Sequence, residues 1–459
     1  MPRLVIVSNR VALPGGGSER AGGLAVAMRD ALRGSGGLWF GWSGEVGGST
    51  STAPRVVRAG RVEYATIDLS RSDHEQYYNG FANSTLWPLL HYRLGLLEFH
   101  RENLDAYRRV NRAFATALHP LLRSDDLIWV HDYHLLALAQ NLRRLGLGNR
   151  IGLFLHTPFP PPAVFTALPR HEILIEALAA YDVIGLQTEG DRRNLSGVMA
   201  PQANPWTYSG ETTKRPKLRT IPIGIDAEAL AGMAVAASRS SETERLIDSL
   251  DGRRLIVGVD RLDYSKGLPL RFEAFERLLA EFPEHRSNVT FMQVAPVSRG
   301  EVRQYRELRR ELERLAGRVN GKYAEFDWVP IRYLNRSFNR RVLAGFFRHA
   351  RVGLVTPLRD GMNLVAKEYV AAQDPSDPGA LVLSRFAGAA AELTDALLVN
   401  PYDPDAMAEA LHQALGMALD ERRERWQAMM HHVETQTATA WQTQFLDLLR
   451  NDEAVPALA

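Results

Sequence analysis

The stretch Val352-Gly353-Leu354-Val355-Thr356-Pro357-Leu358-Arg359-Asp360-Gly361-Met362-Asn363-Leu364-Val365-Ala366-Lys367-Glu368 decides the fold. Residues 352–355 are apolar and read as a buried strand, and Gly361 and Asn363 precede an apolar helical run from Leu364. A strand that turns directly into a helix is the repeating unit of a parallel sheet covered by helices. At a helix start several backbone N–H groups lack intrahelical partners and carry partial positive charge. Gly361, Met362, Asn363 and Leu364 are therefore suited to phosphate oxygens, with Asp360 and Glu368 facing hydroxyls. The same residues also suit an ordinary strand-to-helix turn, so the neighbouring loops must decide.

Working outward, the unit recurs. Short apolar runs fall at 4–7, 127–130, 152–155, 183–186, 255–259, 289–294, 381–383 and 397–399, with amphipathic helical stretches such as 268–279 and 302–315 between them. The pattern predicts an α/β protein with two Rossmann-like, doubly wound parallel-sheet domains. The series restarts near 255 after a stretch, 227–254, that begins Ala-rich and becomes charged. The expected division is 1–230 and 231–439. Residues 420–449 read as one helix whose apolar end (Trp441, Phe445, Leu446, Leu448, Leu449) opens a segment, 440–459, that packs back on the first domain. Ligands of such sheets bind at the C-terminal ends of the strands, so the site is expected in a cleft faced by both domains.

Composition narrows the function classes. At 459 residues the chain is too long for one ordinary core, and its 45% hydrophobic and 24% charged content fit a soluble enzyme rather than a disordered or membrane protein. With 55 basic against 53 acidic residues it has no general attraction for nucleic acid. Cysteine is absent, which excludes disulfides and thiolate chemistry. The N-terminus enters a strand without a leader-like segment, and no run approaches about 18 apolar residues, so a cytoplasmic protein with no membrane partner is expected. Lysine is scarce, occurring only at 214, 217, 266, 322 and 367.

The strand-end loops carry the candidate chemistry. Strand 4–7 leads to Ser8-Asn9-Arg10 and then to glycines that include Gly22 and Gly23, which can approach a phosphate or sugar closely; their spacing is not G-x-G-x-x-G, which argues against a nicotinamide-dependent dehydrogenase. Strand 127–130 ends in His131-Asp132-Tyr133-His134, where Asp132 suits a base, a hydroxyl acceptor or a helix cap. The two histidines lack a third metal ligand nearby, so no metal site is expected. Strand 152–155 ends at His156, fixed by the prolines at 158 and 160–162 and able to meet a sugar hydroxyl.

In the second half, Asp260-Arg261-Leu262-Asp263-Tyr264-Ser265-Lys266-Gly267 places an Arg and a Lys ahead of a helix, where both can neutralise a diphosphate. Arg299 is a further cation after strand 289–294. The only D-x-D match, Asp403-Pro404-Asp405, reads as a helix start, so leaving-group charge falls to cations and backbone donors and no cofactor is expected.

Taken together, the blocks VSNR, AGGLAVA, GLWFGWSGE, YYNGFANSTLWPLLHY, WVHDYHLL, FLHTPFPP, PIGID, DRLDYSKGLP, APVSRGE, NGKY, LVTPLRDGMNLVAKEYVAAQ and LVLSRFAGAAAEL resemble the trehalose-6-phosphate synthase family of retaining GT-B glycosyltransferases, over about the whole length. The resemblance implies an acceptor site for glucose 6-phosphate at Arg10, Tyr78, Trp87, Asp132 and Arg299. It implies a nucleotide-sugar site at Gly22, Gly23, His156, Arg261, Lys266, Arg340, Asp360, Gly361, Met362, Asn363, Leu364, Val365 and Glu368, with Phe338 near the base. Arg261, Lys266, His156 and Asp360 are the implied catalytic group. The implied reaction joins glucose from UDP-glucose or GDP-glucose, with ADP-glucose also open, to glucose 6-phosphate. A cyclitol-coupling pseudo-glycosyltransferase and a silent sugar-phosphate sensor are the alternatives. The sensor would be expected to lose Arg261, Lys266 or Asp360, and all three are present. A homodimer or homotetramer is left open.

Overall fold

A computed structural model describes residues 2–14, 28–29, 31–32, 34, 36–200, 215–297 and 303–451. It divides into two compact units, Met1–Pro222 with Thr439–Ala459, and Ile223–Ala438. Gly22, Gly23 and Arg299 lie outside the described residues.

The first unit holds an eight-stranded sheet of order β3-β4-β2-β1-β5-β6-β7-β8, with β1 Leu4–Arg10, β2 Gly37–Gly47, β3 Arg55–Ala59, β4 Val62–Ser70, β5 Leu127–His131, β6 Arg150–Phe154, β7 Val183–Leu186 and β8 Lys217–Thr220. All pairs are parallel except β3 with β4. The four strands expected here are present. The sequence reading missed β2, β3, β4 and β8.

Strand order reverses at β1: the chain moves from β1 to β2 on one side, then returns to β5 on the other. Such a switch point opens a crevice at the C-terminal strand ends. Arg10 ends β1 and Asp132 follows β5 at this point.

The helix read as one piece over 420–449 is two, Leu419–Thr435 and Ala438–Arg450. The break separates a charged segment in the second unit from an apolar one in the first. Trp441 and Phe445 are buried in the first unit, with Trp441 4.7 Å from Trp129 and in edge contact with Phe154 at 5.0 Å between ring centroids. Glycine on β6 makes room: a Cβ at Gly152 would lie 2.7 Å from Phe445 Cζ.

The second unit holds a six-stranded parallel sheet of order β11-β10-β9-β12-β13-β14, with β9 Arg254–Val259, β10 Val289–Val294, β11 Ile331–Leu334, β12 Val352–Val355, β13 Ala380–Ser384 and β14 Leu397–Val399. Its switch point lies between β9 and β12. Helix Leu268–Glu281 covers it with Leu268, Phe272, Phe275 and Leu279, a helical stripe packed in one core cluster with Ile256, Phe291 and Leu354. No helix among the described residues is long and apolar enough to cross a membrane.

Candidate active site

At the second unit's switch point, the loops after β9 and β12 meet. Gly267 takes a left-handed φ of 67° and approaches the backbone closely, so that a Cβ there would lie 2.7 Å from the Thr356 carbonyl oxygen. Leu358 N–H donates to the Ser265 carbonyl at 2.8 Å. This apposition sets the Lys266 ammonium on the Asp360 carboxylate, both side chains mostly buried. Asn363 Nδ2 donates to the same Asp360 oxygen at 3.1 Å. Helix Leu364–Ala372 follows, with Asn363 at its start in the left-handed region (φ 74°) and no side-chain cap on its first N–H groups.

Asp360 is itself held from behind. Its N–H donates to Phe386 O at 3.1 Å and its carbonyl accepts from Gly388 N–H at 3.1 Å. The carboxylate is therefore a fixed acceptor beside a cation, an amide and a helix N-terminus, an arrangement that can hold sugar hydroxyls and phosphate oxygens together. Arg261 lies exposed on the turn after β9. Arg340 opens helix Arg340–His349 and pairs with Glu368 at 3.2 Å; burial pushes the Glu368 carboxyl above its usual range, against the pull of Arg340. Phe338 packs edge-on against Phe346 at 5.4 Å and lies under the Arg336 guanidinium.

Beneath these loops lies a group the sequence reading did not single out. Arg271 is fully buried and donates to Asp260 Oδ2 at 2.7 Å, Gln293 Oε1 at 2.8 Å, Thr356 Oγ1 at 3.1 Å and the Lys266 carbonyl at 3.3 Å. One guanidinium thus ties the ends of β9, β10 and β12 to the turn that carries Lys266. A signal existed: Arg271 falls between Leu268 and Phe275 on the apolar stripe, where an unpaired charge is untenable. Lys367, by contrast, is structural, donating to both Glu392 carboxylate oxygens and to Ile223 O.

The first unit carries the other candidates. Ser8 Oγ accepts from Trp39 Nε1 at 2.8 Å and donates to the Arg10 carbonyl at 2.9 Å, fixing the backbone from which the Arg10 guanidinium reaches over Trp42. Residues His74–Leu86 form a π-helix, a rare geometry enriched at functional sites. From it Tyr78 stacks on His134 at 5.8 Å and on His74 at 5.4 Å. Trp87, just after it, is buried between His91 and Tyr133.

Asp132 sits at φ 71°, ψ 173°, a region costing a non-glycine residue about 1–3 kcal/mol. Of the roles open to it, the cap is not made: its carboxylate has no cap hydrogen bond and accepts from His156 N–H at 3.3 Å. After it, a 3₁₀ turn, Tyr133–Leu135, precedes helix Leu138–Arg144.

Both His156 nitrogens are engaged. Gln187 Nε2 donates to Nδ1 at 3.2 Å, which leaves Nε2–H to point at His131 Nδ1, also 3.2 Å away. Burial pulls His156 down to about 3 and lowers His131 as well, so both rings are neutral at ordinary pH. His131 faces His156, whereas His134 stacks against Tyr78. Gln187 left no mark in the sequence, and His131 was read only beside His134, because their partner His156 is met only across the sheet.

The model of Glycosyltransferase family 20 matches residues 13–451. The chain belongs to glycosyltransferase family 20. This glycosyltransferase is 50% identical over 455 residues to the trehalose-6-phosphate synthase of Enterobacter sp. strain 638, covering 98% of this chain and 96% of the relative. A Burkholderia xenovorans α,α-trehalose-phosphate synthase (UDP-forming) in complex with glucose-6-phosphate is 48% identical, with a TM-score of 0.93 over 98% of this chain and all of the other. An Escherichia coli structure bound with UDP-2-fluoro glucose is also 48% identical, with a TM-score of 0.92 over 98% and 99% of the two chains. The two parallel-sheet units are accordingly the two halves of a GT-B fold.

Proposed function

We propose that the protein transfers glucose from UDP-glucose to the anomeric oxygen of glucose 6-phosphate, giving α,α-1,1-linked trehalose 6-phosphate and UDP with the donor configuration kept. The end-to-end match to synthases of this activity carries the reading. UDP is chosen over GDP and ADP because the related structures are UDP-forming or hold a UDP-sugar.

The chemistry follows from the residues. As the bond from glucose C1 to the diphosphate lengthens, negative charge grows on the leaving oxygen, and Lys266, Arg261 and the N-terminus of helix Leu364–Ala372 stabilise it. The acceptor hydroxyl forms the new C1–O bond on the same face and gives its proton to the departing diphosphate oxygen. Asp360 holds donor hydroxyls, Glu368 the ribose and Phe338 the region of the base. Arg10 and Arg299 hold the acceptor phosphate, with Tyr78 and Trp87 beside the sugar and Asp132 on a hydroxyl. Neutral His156 packs at the donor glucose. Because Gln187 and His131 take both its ring nitrogens, it acts by shape and position rather than by proton transfer.

The test compares initial rates with UDP-, GDP- and ADP-glucose at fixed glucose 6-phosphate, with the product linkage read by NMR. UDP-glucose should give the highest rate and an α,α-1,1 product. A faster GDP- or ADP-glucose reaction would overturn the donor assignment, and no product from any donor would overturn the reaction in favour of the cyclitol-coupling or sensor alternatives.

A further inference from the structure

Away from these loops, Glu284, His285 and His412 bring three metal-ligating side chains together, their ligand atoms all within 4.8 Å of one another. Helix Leu268–Glu281 runs into the turn Pro283–His285, which meets helix Pro404–Gly416. His285 Nε2 and His412 Nδ1 lie 3.0 Å apart, and Glu284 Oε1 lies 3.5 Å from that same His412 nitrogen. Phe282 stacks on the His412 ring at 4.0 Å with planes 12° apart, which fixes the imidazole. His285 Nδ1 is buried, so Nε2 is the nitrogen it offers.

We propose that these three residues bind a zinc-class divalent cation through two imidazole nitrogens and one carboxylate oxygen, with water completing the coordination. Zinc bonds of about 2.0–2.2 Å in a tetrahedron separate neighbouring ligand atoms by roughly 3.3 Å, which the distances 3.0 and 3.5 Å bracket. Two imidazoles favour zinc, nickel or copper over magnesium or calcium. The nearby Arg254 repels a cation, and the Glu284 carboxylate offsets that charge. The bound ion would staple residues 127 positions apart in sequence, which is why no local motif announced it. None of the three belongs to the proposed transfer site, so turnover does not depend on the ion.

Chelator-stripped, tag-free protein is titrated with zinc chloride by calorimetry, and thermal unfolding is followed with zinc or magnesium. One equivalent of zinc should bind, and at about 100-fold above Kd the unfolding midpoint should rise by roughly 5–10 °C. Magnesium should produce no rise. His412→Ala and the more conservative His412→Gln, both at a half-exposed position, should lose the zinc response while keeping turnover, and Glu284→Gln should weaken it. Absence of saturable zinc binding, or an undiminished response in both His412 variants, overturns the site.

Discussion

Replacing Arg271 with Met isolates what holds the loops after β9 and β12. The change keeps most of the side chain's bulk and removes a guanidinium that makes four hydrogen bonds in a fully buried position. Asp260 is then left buried without its ion-pair partner, which costs about 3–5 kcal/mol. For a unit of this size that is roughly 6–20 °C in the unfolding midpoint. The pH dependence has a definite sign. Burial already raises the Asp260 carboxyl above its usual range, and Arg271 opposes that rise. Without Arg271 the folded-state value climbs further, so the folded protein prefers a protonated Asp260. The deficit is therefore greatest at neutral pH and shrinks as pH falls through the folded-state value. Urea unfolding of wild type and Arg271→Met at about pH 7 and about pH 5 measures this, and Arg271→Met with Asp260→Asn should recover part of the loss. A single variant within about 1 kcal/mol of wild type at neutral pH, or a deficit that grows in acid, would refute the reasoning.

Lys266→Ala should lower turnover by about 10²–10³-fold with the fold intact, measured by single-turnover kinetics, whereas EDTA should leave wild-type turnover unchanged. For Glu368, whose carboxyl burial raises, the KM for UDP-glucose should increase as pH falls through that raised value, at higher pH than an ordinary glutamate would give; Glu368→Gln should flatten the profile. At Asp132, both Asp132→Gly and Asp132→Ala should abolish most activity. The glycine variant should nonetheless be the more stable of the two by about 1 kcal/mol or more in urea unfolding, because alanine keeps the strain of a positive φ and glycine does not.

The nine strands read from apolar runs are all present, because strands buried on both faces write continuous apolar segments into a sequence. Those that were missed lack that signature. Strand β3 is Arg-Val-Val-Arg-Ala and exposed along most of its length, β2 mixes glycines with its buried Trp39, Phe40 and Trp42, and β8 and β11 are short and half-buried. The π-helix at His74–Leu86 has no 3.6-residue rhythm to detect. Of the loops after β9 and β12, Lys266, Asp360 and Asn363 were legible because charged and amide residues at strand ends stand out against apolar flanks. Gln293 and Gln187 were not, since each is defined by a partner that only the assembled sheet supplies, and Arg271 offered only its place on an apolar stripe.

The placement of Ala438–Arg450 bears on how the chain is made. Trp441 and Phe445 complete the core under β5, β6 and β7, yet they are synthesised after the whole of the second unit. On the ribosome the contiguous second unit has all its residues first, while the earlier-born sheet waits with Trp129 and Phe154 uncovered. A nascent chain arrested before Trp441 should therefore expose that apolar face to chaperones, and emergence of Ala438–Arg450 becomes the step that lets the first unit close.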